Sequence, residues 1–135
     1  MTSPIPLRLA LVVAGGAIGT AARLGLGLAL PAPQGSGLAA VPWATFLANV
    51  LGAFLIGVLA ARLPSSSGVR VFLGTGVLGG FTTYSAFAVG SMTLWQAQPW
   101  LAAAYAVASV VLGIGAAALG LGLARPRTSH TQAHG

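Results

Sequence analysis

The chain has 135 residues, of which 56% are hydrophobic and only 4% are charged. A soluble domain carries roughly 25% charged residues, so most of the outer surface of this chain is expected to face lipid. The charged residues are six scattered arginines, with no Asp, Glu or Cys. This composition excludes carboxylate acid/base catalysis, carboxylate-coupled proton transport and thiol chemistry, and it argues against an enzyme and against a nucleic-acid surface.

Four segments of the chain are long and apolar enough to cross a bilayer, which takes about 20 residues per helix. We therefore predict an all-α membrane protein with one transmembrane domain over residues 1–127 and a disordered polar tail over residues 128–135. Small residues one turn apart, as at Gly15 and Gly19, predict close helix packing. The predicted helices occupy residues 7–30, 42–63, 69–97 and 100–124.

The first segment begins with Arg8 and an apolar run, a pattern that signal peptides also show. Its apolar sequence continues to Leu30 and other spanning segments follow, so we interpret it as a retained helix. Arg23 lies near the end of this helix and has two interpretations. Its side chain either extends to the membrane interface or attracts anions to a vestibule.

The second segment carries a single amide, Asn49, with Thr45 one turn away on the same face. A buried amide in lipid is costly unless it is paired. Asn49 is therefore expected either to hold two helices together through a hydrogen bond or to line a polar path.

The most unusual stretch lies in the middle of the third segment, where residues 79–87 read Gly-Gly-Phe-Thr-Thr-Tyr-Ser-Ala-Phe. Two glycines and two threonines weaken a helix, and irregular backbone at this depth occurs only where it is buried in protein or lines a polar cavity. A break would free carbonyls for a cation and create a helix N-terminus that favours an anion. The alternative is an unbroken helix with a glycine packing face.

In the fourth segment, Tyr105, Ser109 and Gly113 share one helix face and could form a polar track. The alternative for Ser109 is a hydrogen bond to the carbonyl four residues before it, which is common for serine in membrane helices.

Taken in chain order, these elements resemble the Fluc (CrcB-type) fluoride channels. Residues 15–23 match a Gly-Gly-x-x-Gly-x-x-x-Arg pattern, and residues 44–52 match Gly-Thr-Leu-x-x-Asn-x-x-Gly apart from its first and third positions. Residues 79–87 match Gly-Gly-x-Thr-Thr-Phe-Ser-Thr-Phe, the most specific of these motifs, apart from its sixth and eighth positions. The resemblance implies passive fluoride export across the inner (plasma) membrane through a multi-pass, antiparallel, dual-topology dimer with two pores.

The resemblance also implies roles for individual residues. A central Na⁺ would be held by the main-chain carbonyls of Gly79 and Thr82. Arg23 would lie at a vestibule. The fluoride pathway would be lined by Asn49, Tyr84, Ser85, Phe87, Tyr105 and Ser109, since amides, hydroxyls and the positive edges of aromatic rings can replace the water of a bare halide.

The chain departs from the family pattern at Tyr84, Ala86, Gly90 and Gly113, and each departure changes a pore group. An alternative function is therefore a non-conducting or half-competent structural subunit of a heterodimeric fluoride channel.

Positive charge is distributed unevenly between the two predicted sides of the membrane. Arg23 lies toward one side, whereas the other side has Arg8, Arg62, Arg70, Arg125 and Arg127. Because Lys/Arg bias sets orientation, both termini are expected in the cytoplasm, and an antiparallel dimer would then need a paralogue of opposite orientation. The alternative is a weak bias and pairing with a second copy.

Overall fold

The computed structural model describes residues 4–125, which are almost entirely helical. The predicted tail over residues 128–135 lies outside the described residues. The helices are α1 (Ile5–Ala29), α2 (Trp43–Arg62), α3 (residues 68–81), α4 (Tyr84–Ala97) and α5 (Pro99–Ala124), with a short 3₁₀ turn at Gly37–Ala40. The stretches α1, α2, α3 with α4, and α5 are each long and apolar enough to span a membrane, which confirms the four predicted spans.

Proline and glycine mark the ends of these helices. Pro6 lies in the first turn of α1 and Pro99 begins α5, positions where the missing N–H has no intrahelical partner to lose. Pro64 directly follows α2. The connection between α1 and α2 turns at Gly35 and Gly37, whose φ angles of 64° and 65° are readily adopted only by glycine.

Glycines bring the helix backbones into direct contact, as the small-residue pairs predicted. A Cβ on Gly19 would overlap the carbonyl oxygen of Val77, and one on Gly15 would likewise meet the backbone of α3. Gly57 and Gly120 play the same part between α2 and α5. Close backbone approach of this kind is how helices associate in lipid. It holds α3 against α1 just before the unusual stretch over residues 79–87.

One feature of α3 was not predicted from the sequence. Residues Val71–Leu78 form a π-helix, and the N–H of Gly79 donates to the carbonyl of Gly74, five residues back. The widened turns lie against α1, where a Cβ on Gly76 would come within 2.9 Å of the Gly15 Cα. Such π-helical turns are frequent at functional sites.

The two ends of the bundle differ in composition. The end formed by the α1–α2 and α4–α5 connections carries three exposed tryptophans, Trp43, Trp95 and Trp100, as is typical of a membrane interface. At the other end, Arg62 donates from Nε to the last carbonyl of α5, and Arg70 donates from Nη1 to the Leu63 carbonyl at 3.0 Å. These arginines therefore satisfy carbonyls at the C-terminal ends of helices.

Candidate functional site

The predicted break in the third span is confirmed, so the alternative of an unbroken helix is wrong. α3 ends at Phe81, Thr82 and Thr83 are extended, with ψ angles of 154° and 117°, and α4 begins at Tyr84. The Thr82 hydroxyl donates to the Leu78 carbonyl at 2.9 Å. The Thr83 hydroxyl caps α4 by accepting the N–H of Ala86 at 3.2 Å.

Asn49 of α2 pairs with the backbone of the break. Its Oδ1 accepts the Thr83 N–H at 2.8 Å, and its Nδ2 donates to the Thr83 carbonyl at 3.1 Å. The Thr83 N–H fixes the orientation of this amide because only the oxygen can accept it. The interpretation of Asn49 as an interhelical hydrogen-bonding residue is confirmed, and its place in a polar path stays a prediction.

This pairing also changes the bonding of Gly79. In an unbroken α-helix the N–H of Thr83 would donate to the Gly79 carbonyl, four residues earlier. Here that N–H is directed to Asn49 instead. Gly79 itself is exposed on the surface of the bundle, so its carbonyl lies beside the break without the bond that a continuous helix would supply.

An open groove of about 480 Å³ runs along the break between α2, α3, α4 and α5. It is lined by uncharged residues, so any ion within it meets dipoles, hydroxyls and ring edges. The groove brings together six of the residues predicted from the sequence: Asn49, Gly79, Thr82, Tyr84, Phe87 and Ser109.

Aromatic side chains continue from this groove into the bundle. The ring centroids of Tyr84 and Phe87 are 6.1 Å apart, those of Phe87 and Tyr105 are 5.6 Å apart, and those of Tyr105 and Phe46 are 6.3 Å apart. Tyr84 is 81% exposed whereas Tyr105 is 4% exposed, so the series leads from the surface of the bundle into its core. Phe46 was not predicted as a site residue, because an apolar ring in an apolar helix carries no distinguishing signal.

The predicted hydroxyl groups do not form one continuous track. Ser109 donates to the Tyr105 carbonyl at 2.7 Å, which confirms the alternative interpretation of this serine. Ser85 is exposed, and its hydroxyl lies 3.1 Å from that of Thr83. Among the described residues, the buried hydroxyls of Tyr105 and Ser91 have no hydrogen-bond partner. The roles of Ser85, Tyr105 and Ser109 in a pathway stay predictions.

Arg23 of α1 contacts the residues next to the break from the side of α1. Its Nε donates to the Gly80 carbonyl at 3.3 Å, and the hydroxyl of Thr20 lies 3.5 Å from the same oxygen. Arg23 also lines a second groove of about 330 Å³, together with Thr45 and Thr83. The guanidinium is thus half-buried at the break, and an effect of Arg23 on anions stays a prediction.

The similarity of this chain to known proteins extends over most of its length. Residues 10–121 match the sequence profile of the family described as "CrcB-like protein, Camphor Resistance (CrcB)". The chain is 48% identical over 112 residues to a protein of Mycobacterium tuberculosis named Fluoride-specific ion channel FluC 1, an alignment that covers 78% of this chain and 81% of the relative. A protein of Agrobacterium fabrum named Fluoride-specific ion channel FluC is 42% identical over 127 residues, covering 88% of this chain and 97% of the relative. With a matching profile over most of its length and relatives at this level of identity, the chain belongs to the CrcB family.

Proposed function

We propose that this chain is a subunit of a fluoride channel that lets fluoride leave the cytoplasm passively, and that it is not an enzyme. The observation that carries this proposal is its 42% and 48% identity to relatives named as fluoride-specific ion channels, over alignments that cover 88% and 78% of the chain. The groove at the break supports the same function on chemical grounds. The alternative of a subunit that does not conduct is not favoured by these relatives.

Fluoride is small and strongly hydrated, so a conducting pathway must replace its water without binding it too tightly. The groove offers the amide of Asn49, the hydroxyl of Tyr84 and the edges of aromatic rings, which stabilise an anion as dipoles and partial charges. The hydroxyl hydrogens of Thr82 and Ser109 are used on carbonyls. Asn49 uses one hydrogen of its amide nitrogen on the Thr83 carbonyl, and the other remains for a ligand. With no carboxylate in the chain, the pathway contains no acidic side chain that would repel fluoride.

The functional unit in this proposal is an antiparallel dimer. One chain provides an open groove, since Gly79 and Tyr84 lie exposed at its edge. A second subunit packed against this edge would close the groove of this chain into one pore. The groove of the second subunit would form the other pore. The proposed setting is the inner (plasma) membrane, which the four apolar spans would cross.

The proposed cofactor is one Na⁺, held by the main-chain carbonyls of Gly79 and Thr82. These residues suit a hard cation because the Gly79 oxygen lacks the bond that the Thr83 N–H would supply in a continuous helix. The Thr82 oxygen likewise lacks the bond from the Ala86 N–H, which donates to the Thr83 hydroxyl instead. Two carbonyls leave most of the coordination sphere of the ion unfilled. The corresponding carbonyls of the second subunit would complete it, so the ion would fasten the two breaks together.

The proposed partner is a paralogue inserted in the opposite direction. Arg8, Arg62, Arg70 and Arg125 lie at one end of the bundle, whereas Arg23 lies toward the other. Arg127, which adds to the first group in the sequence, lies outside the described residues. A chain with this bias is expected to insert in a single orientation, and its antiparallel partner would therefore be a different polypeptide.

A growth experiment tests the proposed function. Bacteria whose own fluoride exporters have been deleted would receive the gene for this chain together with any paralogue from its native genome. We expect growth in fluoride medium at a concentration that stops the parent strain, and we expect no benefit in medium with an equal concentration of chloride. Growth no better than that of the parent, with the protein present in the membrane, would contradict the proposal.

A further inference from the structure

Three arginines lie around the C-terminal ends of α2 and α5, at the end of the bundle opposite the tryptophans. Arg62 donates from Nε to the carbonyl of Ala124, and Arg125 is the next residue along the chain. Arg70 donates from Nη1 to the carbonyl of Leu63 at 3.0 Å, and Leu63 directly follows Arg62. These contacts tie Arg62, Arg70 and Arg125, the arginine cluster, to two adjacent helix ends.

The positive charge of the arginine cluster is not neutralised within the chain. A guanidinium has five N–H donors, and the bonds just described use one donor of Arg62 and one of Arg70. The sequence has no Asp or Glu, so no acidic side chain can pair with the others. Each helix C-terminus carries about half a negative charge, so the two helix ends offset about one of the three positive charges. The cluster therefore suits a ligand with negative charge.

The depth of the cluster in the membrane identifies the kind of anion. α2 has 20 residues, from Trp43 to Arg62, and is therefore about 30 Å long, which matches the thickness of the hydrocarbon core. Because Trp43 lies at one membrane interface, Arg62 lies at the other. Ala124 is the last residue of the fourth span, so its contact with Arg62 lies at the same level. This level is the headgroup region, where phospholipids carry their phosphates.

An apolar face of α5 begins next to the cluster and continues into the membrane. Leu123 directly precedes Ala124, and Leu119 and Leu112 follow it on the same side of the helix, four and eleven residues away. All three leucines are exposed. A lipid with its phosphate at the arginines could lay an acyl chain along this face, whereas a free phosphate ion would gain nothing from it.

We propose that the arginine cluster binds the headgroup of an anionic phospholipid. Guanidinium groups pair with phosphate oxygens through two parallel hydrogen bonds, and basic groups between transmembrane helices bind anionic headgroups. Arg62 extends from α2 to α5, and Arg70 extends from α3 to the end of α2. A lipid held by both would therefore fasten three helices together at this end. The proposal does not depend on the transport of fluoride.

Thermal unfolding of the detergent-solubilised channel, purified with any native partner, tests the site. Phosphatidylglycerol and phosphatidylcholine with the same acyl chains are titrated in parallel, and we expect phosphatidylglycerol to raise the Tm more. Arg62→Gln should weaken the binding of phosphatidylglycerol about fivefold, as for loss of one charge near the lipid, although its amide can still donate to Ala124. Arg62→Lys, which keeps the charge, is the matched control and should retain the preference.

Equal Tm shifts with the two lipids, or an unchanged preference in Arg62→Gln, would overturn the proposal. If Arg62→Gln does not fold, Arg125→Gln takes its place, because it removes one charge of the cluster and none of the hydrogen bonds described above. Inorganic phosphate at constant ionic strength distinguishes the two sources of a phosphate group. We expect it to leave the Tm unchanged, and a rise equal to that with phosphatidylglycerol would show a site for free phosphate rather than for lipid.

Discussion

Replacing Asn49 by alanine is expected to disable the channel without dispersing the bundle. The substitution removes both hydrogen bonds to Thr83, at 2.8 and 3.1 Å. It leaves an N–H and a carbonyl unpaired between apolar helices, and each unpaired group costs about 1–3 kcal/mol. The break should therefore be destabilised by about 2–6 kcal/mol, and even the lower figure corresponds to about a 30-fold fall in the population of the conducting geometry.

The assay is fluoride efflux from liposomes measured with a fluoride electrode, combined with size-exclusion chromatography of the purified channel. We expect Asn49→Ala to elute as the wild-type dimer does and to lose nearly all efflux. Leu51→Ala is the control, because Leu51 lies on the same helix and is 48% exposed. Wild-type efflux by Asn49→Ala would refute the reasoning, since neither the break nor the fluoride path would then depend on the amide.

Three further predictions concern packing, the proposed cation and orientation. Gly19→Ala should lower the free energy of unfolding by about 1–3 kcal/mol or more in thermal unfolding, because the added Cβ would overlap the backbone of α3; Gly25→Ala, whose Cβ meets nothing within 4 Å, should be nearly neutral. Gly79→Val should abolish Na⁺-dependent stabilisation by distorting the break, whereas Thr82→Val keeps the proposed carbonyl ligand and should retain it; equal Na⁺ responses in both variants would contradict the assignment. A Ser129→Cys variant in intact cells should react with a membrane-impermeant thiol reagent only after the cells are opened, and labelling of about half the molecules from outside would instead indicate dual topology.

The sequence was sufficient to predict the four spans, and the break was predicted from its residues together with the family resemblance. Proline and polar residues end the apolar runs of bilayer length. The helix ends therefore follow from Pro31, Pro64 and their neighbours. The break was recognisable because Gly79, Gly80 and the two threonines after Phe81 are poor helix formers at a depth where every backbone group needs a partner.

The detailed partners at the break were not predictable in the same way. The sequence does not distinguish Thr83 from the neighbouring Thr82. The pairing of Thr83 with Asn49 depends on how α2 packs against the break. Arg23 was expected at a vestibule or the interface, whereas its bond to Gly80 depends on the approach of α1 to α3. The π-helical stretch has no sequence signature beyond its glycines.

The most direct test of the account is the anion selectivity of the purified channel. The tagged chain would be isolated from its native host, so that any partner subunit copurifies, and reconstituted into liposomes loaded with potassium fluoride or potassium chloride. With valinomycin to balance charge, we predict rapid loss of fluoride and retention of chloride. Fluoride loss no faster than from protein-free liposomes, or equal loss of both halides, would contradict the assignment of this chain to a fluoride-selective channel.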